Sequence, residues 1–576
     1  MKYTRLFGQE ELHQVGVASS GILLHNRHIV EIDLSPLQDS SIQRISLYNN
    51  KMKYIDLRPL SNCKELKFID LGRNLLEQIH LNPFSKLTAI QELDISNNSI
   101  TQIDLEPLSK QKSFRSLSLA HNRIGVIQLT PFRNISSLVV LELNSNEIGD
   151  LDLNPLSNSK GLRVLRLDNN QLRKIAFNSL KEFKNLLVLT LHNNQLDEID
   201  LTPLSNNDRL GELNLKSNNL KSIQLAELSG LQRMDLSKNK LESVNLRPLR
   251  AAKHLRILDL SNNELEELEL RYLSAMRSLK QVYINSNKIT DIDCSHLNGM
   301  ANLTTLELSH NHLEKVILPS GTSITEINLN NNSIENIDLN PFASSASLKI
   351  INLSENKLRS IDLEPISGCQ NLEVLDLSNN RISDIDLEPL KKSKELRILN
   401  LKSNRLKEID FLHLLDCTSL VQIDIRNPIE EVDITPLYTC TRLRLGDGLI
   451  IRSGQKNKTE LTALFTPPPS NKALFELQDK IRILDFEEVL NAKRWRAIYP
   501  IISHIIDELP KRDSEPIVND MLEFLEISRY QFSTEKKSDS NNNITLKDLQ
   551  SVLSKAPSDS DYTDIRRFLN QRFEEL

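Results

Sequence analysis

Asparagine recurs along this chain at a fixed interval, and that interval constrains the fold more than any other feature. It stands at 26, 50, 74, 98, 122, 146, 170, 194 and 218, each 24 residues after the last. A step of 21 leads to 239, the 24-residue step resumes through 263, 287 and 311, a second step of 21 leads to 332, and 356, 380 and 404 follow at 24. The next expected position, 428, is Pro. Around each Asn the pattern is L-x-x-L-x-L-x-x-N-x-(L/I)-x-x-I-D-L-x-P-L, as in LEVLDLSNNRISDIDLEPL at 372–390. A fixed period of this length marks a stack of identical structural units rather than one compact core.

The unit can be built from its residues. Leu375 and Leu377 are two apart, the strand period, so both face the core while Asp376 faces the other way. Asn380 ends the strand and can bond backbone groups of the turn. Ile382 and Ile385 return the chain to the core, and Leu387-Glu388-Pro389-Leu390 reads as a short helical turn, with Glu388 near the cap and Pro389 at the first helical position. One unit cannot bury its aliphatic side chains alone; stacked units can, with neighbouring strands paired in parallel. The 576-residue chain is far longer than a single core supports, and aromatics are only 5% of it, so aliphatic residues must fill the interior.

This pattern resembles the leucine-rich repeat family, in a 24-residue form with a D-L-x-P-L signature, over residues 21–445. The resemblance implies an α/β fold: a curved solenoid with a parallel β-sheet on its concave side and short helical turns on its convex side. Residues 1–20 are expected to cap the first strand edge. A linker containing Pro467-Pro468-Pro469 spans 446–470. Apolar residues at three- and four-residue spacing over 471–576 predict a small α-helical domain, with Trp495 and Tyr499 in its core and His504 on an apolar helix. The two 21-residue units, carrying IQLAELSGL and VILPSGTSI where the others carry D-L-x-P-L, are expected to be shortened turns.

Motifs for chemistry are absent. The chain has no GxxxxGK[ST], HExxH, GxSxG or kinase signature, and no cysteine beyond Cys440, which removes a thiol nucleophile from the C-terminal segment. Cys63, Cys369, Cys417 and Cys440 share one repeat position with Ser and Ala, as a small buried residue would; Cys294 stands elsewhere. The Asp column at 56, 104, 152, 200, 293, 338, 362 and 386 is expected to bond turn amides rather than a metal. The segment 539–550 resembles a calcium-binding EF-hand loop, but Ile544 and Gln550 replace the Gly and Glu that such a loop needs. It reads as a polar loop before a capping box. No cofactor is expected.

A net charge of −6 argues against a general nucleic-acid binder, and no apolar run approaches the length of a membrane span. The N-terminus carries no secretory pattern, which points to a cytoplasmic setting. The function expected is a non-enzymatic scaffold or adaptor that binds a protein partner on the solenoid surface; the alternative is a signalling enzyme or its regulatory subunit with activity in the C-terminal domain. Asp followed by Leu-Ser is the common filler of the exposed strand positions and reads as solvation. Arg166, Asp168, Thr190, His192, Asn214 and Lys216 leave that filler on three neighbouring strands, and Tyr283, beside Asp259, is the lone aromatic of this face in its second half. These eight are the candidate partner-binding residues.

Overall fold

A computed structural model describes residues 2–5, 10–12, 20–343, 345–429, 431–433, 449–450 and 462–464, together with Leu437, Cys440, Arg442 and Leu443. The helical domain expected at 471–576, with Trp495, Tyr499, His504 and the 539–550 loop, lies outside the described residues, as does most of the linker at 446–470. The chain divides into two compact units, 1–334 and 335–576.

In the first unit, three-residue strands pair in parallel from Gly21–Leu23 to Glu326–Asn328, each in register with the equivalent residues of the next repeat. The second unit continues the same pattern from Ile350–Asn352 through Val374–Asp376, Ile398–Asn400 and Gln422–Asp424. A further strand, Leu449–Ile450, pairs with the last of these, a few residues past the boundary expected at 445. The apolar positions behave as their spacing predicts: Leu375, Leu377, Ile382, Leu387 and Leu390 are all buried. Each contributes about 1.5–3 kcal/mol of burial, available only because the neighbouring repeats cover it.

The strand ends in a turn whose backbone demand is not visible in the apolar pattern. The residue before each ladder Asn takes a left-handed conformation, with φ between 53° and 58°, and Arg73, His121, Lys238, His310 and Glu355 accept it as well as Asn and Ser do. Asn26 belongs to this set and not to the ladder. It aligns with Asn49, which donates to its Oδ1, so the first step of the ladder falls at Arg27 and the interval from 26 to 50 was a coincidence of adjacent asparagines.

On the turn side, most units run into a 3-10 turn. In Glu388–Lys392 the cap is Leu387, so Glu388 is the first residue of the turn and Pro389 the second, one position later than expected. The 21-residue units differ. Their strands Ser222–Gln224 and Lys315–Ile317 pair in parallel with Glu198–Asp200 and Asp291–Asp293 of the units before, but those longer units go on into 3-10 turns at Thr202–Leu204 and Ser295–Leu297, whereas the short units have none. Losing three residues leaves too little chain for a helical turn, and the extended path closes the same distance with fewer residues.

The N-terminal segment does not pair with the first ladder strand among the described residues. Lys2–Arg5 pairs antiparallel with Ile29–Ile32 and with Glu10–Leu12, adding to the far side of the first repeat.

Candidate functional site

The ladder asparagines are structural and carry more bonds than a turn requires. Asn122 accepts from the Ile100 amide at 3.0 Å and donates to the carbonyls of Ile95 and Leu119, both at 3.0 Å. Each such Asn therefore ties its own strand end to the preceding repeat. The turn-side Asp column does what was expected of it: Asp104, Asp152, Asp362 and Asp386 each accept the amide two residues on, at 2.8–2.9 Å.

The exposed Asp-x-Ser filler is a correction to the solvation reading. Asp259 Oδ1 accepts both the amide of Ser261 at 2.9 Å and its hydroxyl at 2.6 Å, and Asp94 and Asp376 accept the amides of Ser96 and Ser378. These side chains fasten the turn at the strand end, and the serines are buried. The shared cysteine position is also structural. Cys63, Cys369 and Cys417 are fully buried, and each thiol reaches a carbonyl of the preceding unit at 3.2–3.4 Å. Burial pushes the Cys417 thiol up to about 12 and the Cys294 thiol higher still, away from reactive thiolate.

The candidate residues of the open sheet face fall where the period puts them. Arg166, Thr190 and Asn214 are direct partners on consecutive strands, and Asp168, His192 and Lys216 follow each by two residues. Asp259 and Tyr283 are direct partners on another strand pair, separated from Asn214 by the strand Arg233–Asp235. The structure thus brings the eight into two adjacent rows of the sheet face, as two clusters.

In the first cluster, Asp168 is 5% exposed and accepts the Thr190 hydroxyl and the Asn169 amide group, the latter at 2.7 Å. His192 Nε2 sits 3.5 Å from the same carboxylate, while its Nδ1 is buried without a hydrogen-bond partner. Arg166 is exposed and lies 3.4 Å from Glu142, a partner that the sequence placed in the row without singling it out.

The second cluster is acidic. Asp235 is 2% exposed, bonded by Ser237 and 3.6 Å from Arg233. Tyr283 lies between Asp259 and Glu307 on the flanking strands. Burial pushes its phenol up, and the two carboxylates add to the shift. Asp235, Glu307 and Arg233 belong to this surface and were missed as candidates. Their signal was the strand period itself, which places Arg233 on the exposed row one pleat before Asp235. Among the described residues, no group of His, Cys, Asp and Glu is arranged to hold a metal ion.

Within each compact unit the repeated strand, Asn turn and 3-10 turn define a solenoid stack that presents an ordered row of polar side chains. The Leucine rich repeat family model matches residues 64–124, 112–172, 253–313, 322–382 and 370–427, and the chain is a leucine-rich repeat protein. Three solved structures of the same fold are similar to it. The plant peptide hormone receptor RGFR1 in complex with RGF2 matches with TM-score 0.61 and 22% identity, over 73% of this chain and 67% of that one. The HAESA ectodomain of Arabidopsis, bound to an extended IDA peptide hormone, matches with TM-score 0.54 and 22% identity, over 76% and 78%. A leucine-rich repeat protein of Leptospira interrogans matches with TM-score 0.53 and 22% identity, over 68% and 98%. At this identity the likeness is one of fold alone. None of the curated proteins matches the sequence. Among the described residues, no helix is long and apolar enough to cross a membrane.

Proposed function

We propose that this protein is a non-enzymatic scaffold that binds a protein partner along the open face of its sheet, centred on the strands that carry Arg166, Thr190 and Asn214. The observation that carries this reading is the cluster around Asp168. A nearly buried carboxylate is held by Thr190 and Asn169 and faced by His192, whose Nδ1 has no hydrogen-bond partner. An ordered side chain with an unused polar atom is suited to recognition, because little conformational entropy remains to be lost on binding. Two of the similar structures are receptors with peptide hormones bound, which agrees with a protein or peptide partner. The acidic second cluster disfavours nucleic acid as that partner. We place the protein in the cytoplasm, where Cys63, Cys294, Cys369 and Cys417 would persist as the buried thiols they are.

The test is capture of partners from native lysate by the intact chain and by a triple Arg166→Glu, His192→Glu, Lys216→Glu variant of unchanged melting temperature. A partner held by the first and lost by the second supports the reading. Equal capture by both would remove this face as the binding surface.

A further inference from the structure

The turn side locally loses the repeat's acidic charge. In the unit that follows Asn74, the Asp of D-L-x-P-L is replaced by His80, so the acidic column that runs along this edge is broken between Asp56 and Asp104. One unit earlier, Tyr54 occupies a repeat position that is polar in nearly every other unit, and its ring is 55% exposed. These two departures line the same groove, of about 370 Å³, together with Asp56, Arg58, Asn82, Pro83 and Lys86. Arg58 is held on Asp56 by paired hydrogen bonds of 2.8–3.1 Å, which leaves Lys86, among the described residues, as the lining charge without an ion pair, with the His80 ring also in the lining.

The next groove along serves as a comparison built into the molecule. It measures about 260 Å³, keeps the repeat's carboxylates as Asp104 and Glu106 against Lys110, and has no aromatic wall.

The geometry points to a second binding site in the groove between Tyr54 and Lys86, one that takes an Asp or Glu side chain from an extended segment of a partner protein. Lys86 and His80 hold the carboxylate, and the Tyr54 ring covers its stem. A carboxylate fits better than a phosphate. The Arg58 fork, which would grip a phosphate through two bonds, is already engaged by Asp56, and the Asp56 charge repels a dianion more than a monoanion. A single exposed ionic contact with an aromatic wall gives weak, salt-sensitive affinity. The site is independent of the open sheet face.

The test is calorimetric titration of the intact protein with an octapeptide carrying two Glu residues, and with matched peptides carrying Gln, Lys or phosphoserine in their place. Binding of the Glu peptide, weakened at high salt and reduced at least tenfold in a His80→Asp, Lys86→Glu variant, is the expected result. His80→Asp restores the repeat's own residue, so this variant should melt no lower than the wild type. Lys110→Glu in the neighbouring groove should leave the affinity unchanged. No binding by the Glu peptide, equal binding by the Gln peptide, tighter binding by the phosphoserine peptide, or full affinity in the double variant would each overturn the assignment.

Discussion

The two sides of each repeat obey different rules. On the strand side, a 21-residue unit is indistinguishable from a 24-residue one. Asn332, which closes a short unit, accepts from Leu313 at 3.0 Å and donates to Leu308 and Leu329 at 3.1 and 3.0 Å, the same set that Asn122 makes in a long unit. On the turn side the short units lose the 3-10 turn, and each places a glycine where the chain is shortened. A Cβ on Gly230 would lie 2.1 Å from the Asp208 carbonyl oxygen, and Gly321 holds φ at 63°. The strand side is fixed because its backbone groups pair with the repeats on both sides, as the Leu119 amide does with the Glu142 carbonyl and the Ser116 amide with the Gln91 carbonyl. The turn side faces solvent on one flank, so several backbone paths satisfy it.

The sharpest way to break this comparison is at the ladder. Asn122→Ala and Asn332→Ala should each cost about 3 kcal/mol, because each strands a buried amide and two carbonyls at once. The two urea midpoints should fall by similar amounts; a much smaller loss at Asn332 would mean that the short unit is already loosened on its strand side. Gly230→Ala should cost about 2 kcal/mol, since backbone must move to admit the methyl group. Gly161→Ala, with its nearest atom at 3.7 Å, should stay within about 0.5 kcal/mol of wild type. Equal midpoints for these two variants would remove steric closeness as the reason for the glycine.

Asp386→Ala removes the acceptor for the Glu388 amide and should cost about 0.5–1 kcal/mol. Its counterpart in a short unit, Gln224, ends a strand and caps no turn, so Gln224→Ala should change stability by less than about 0.5 kcal/mol.

The smallest effect expected is in pH dependence, and it has opposite signs on the two sides. On the turn side, the Ser295 side chain and amide hold the Asp293 carboxyl below its usual range. Its contribution is complete above the unfolded pKa and is lost as pH falls through the lowered folded value. On the sheet face, burial holds the Asp70 carboxyl above its usual range, against the pull of hydrogen bonds from Ser46 and Gly72. Its charge costs stability at neutral pH, and that cost disappears as pH falls through the raised value and below the unfolded one. Asp70→Asn should therefore raise the melting temperature at pH 7 and have no effect in strong acid, whereas Asp293→Asn should lower it slightly at pH 7. Thermal melts of both variants from neutral pH to acid check the signs.

Much of the strand side was legible in the sequence. The spacing of Leu375, Leu377, Asn380 and Ile382 is enough to place the strand, its buried face and the turn, because burial in a stack admits one register. The row holding Arg166, Thr190 and Asn214 follows from the same period. What lay hidden was the use made of each polar residue. The step at Asn26 misled because two adjacent positions both favour Asn, one for its backbone conformation and the other for its side-chain bonds. The Asp-Ser filler looked like solvated surface because its hydrogen bonds are made two residues away within its own turn, a contact that no period reveals.

The architecture follows from the repeat alone, since a unit that cannot bury its aliphatic side chains must stack, and the stack sets the rows of exposed residues. Which side chains in those rows are already satisfied, and which remain available, depends on how the repeats pack. Asp259 is spent on Ser261, while His192 keeps an unused nitrogen beside Asp168. The turn-side groove at Tyr54 belongs to the same category. Its two unusual residues lie 26 positions apart and become neighbours only when one unit settles on the next. Hydrogen-bond satisfaction and concavity are properties of the packed arrangement, and packing joins residues that a linear period keeps apart.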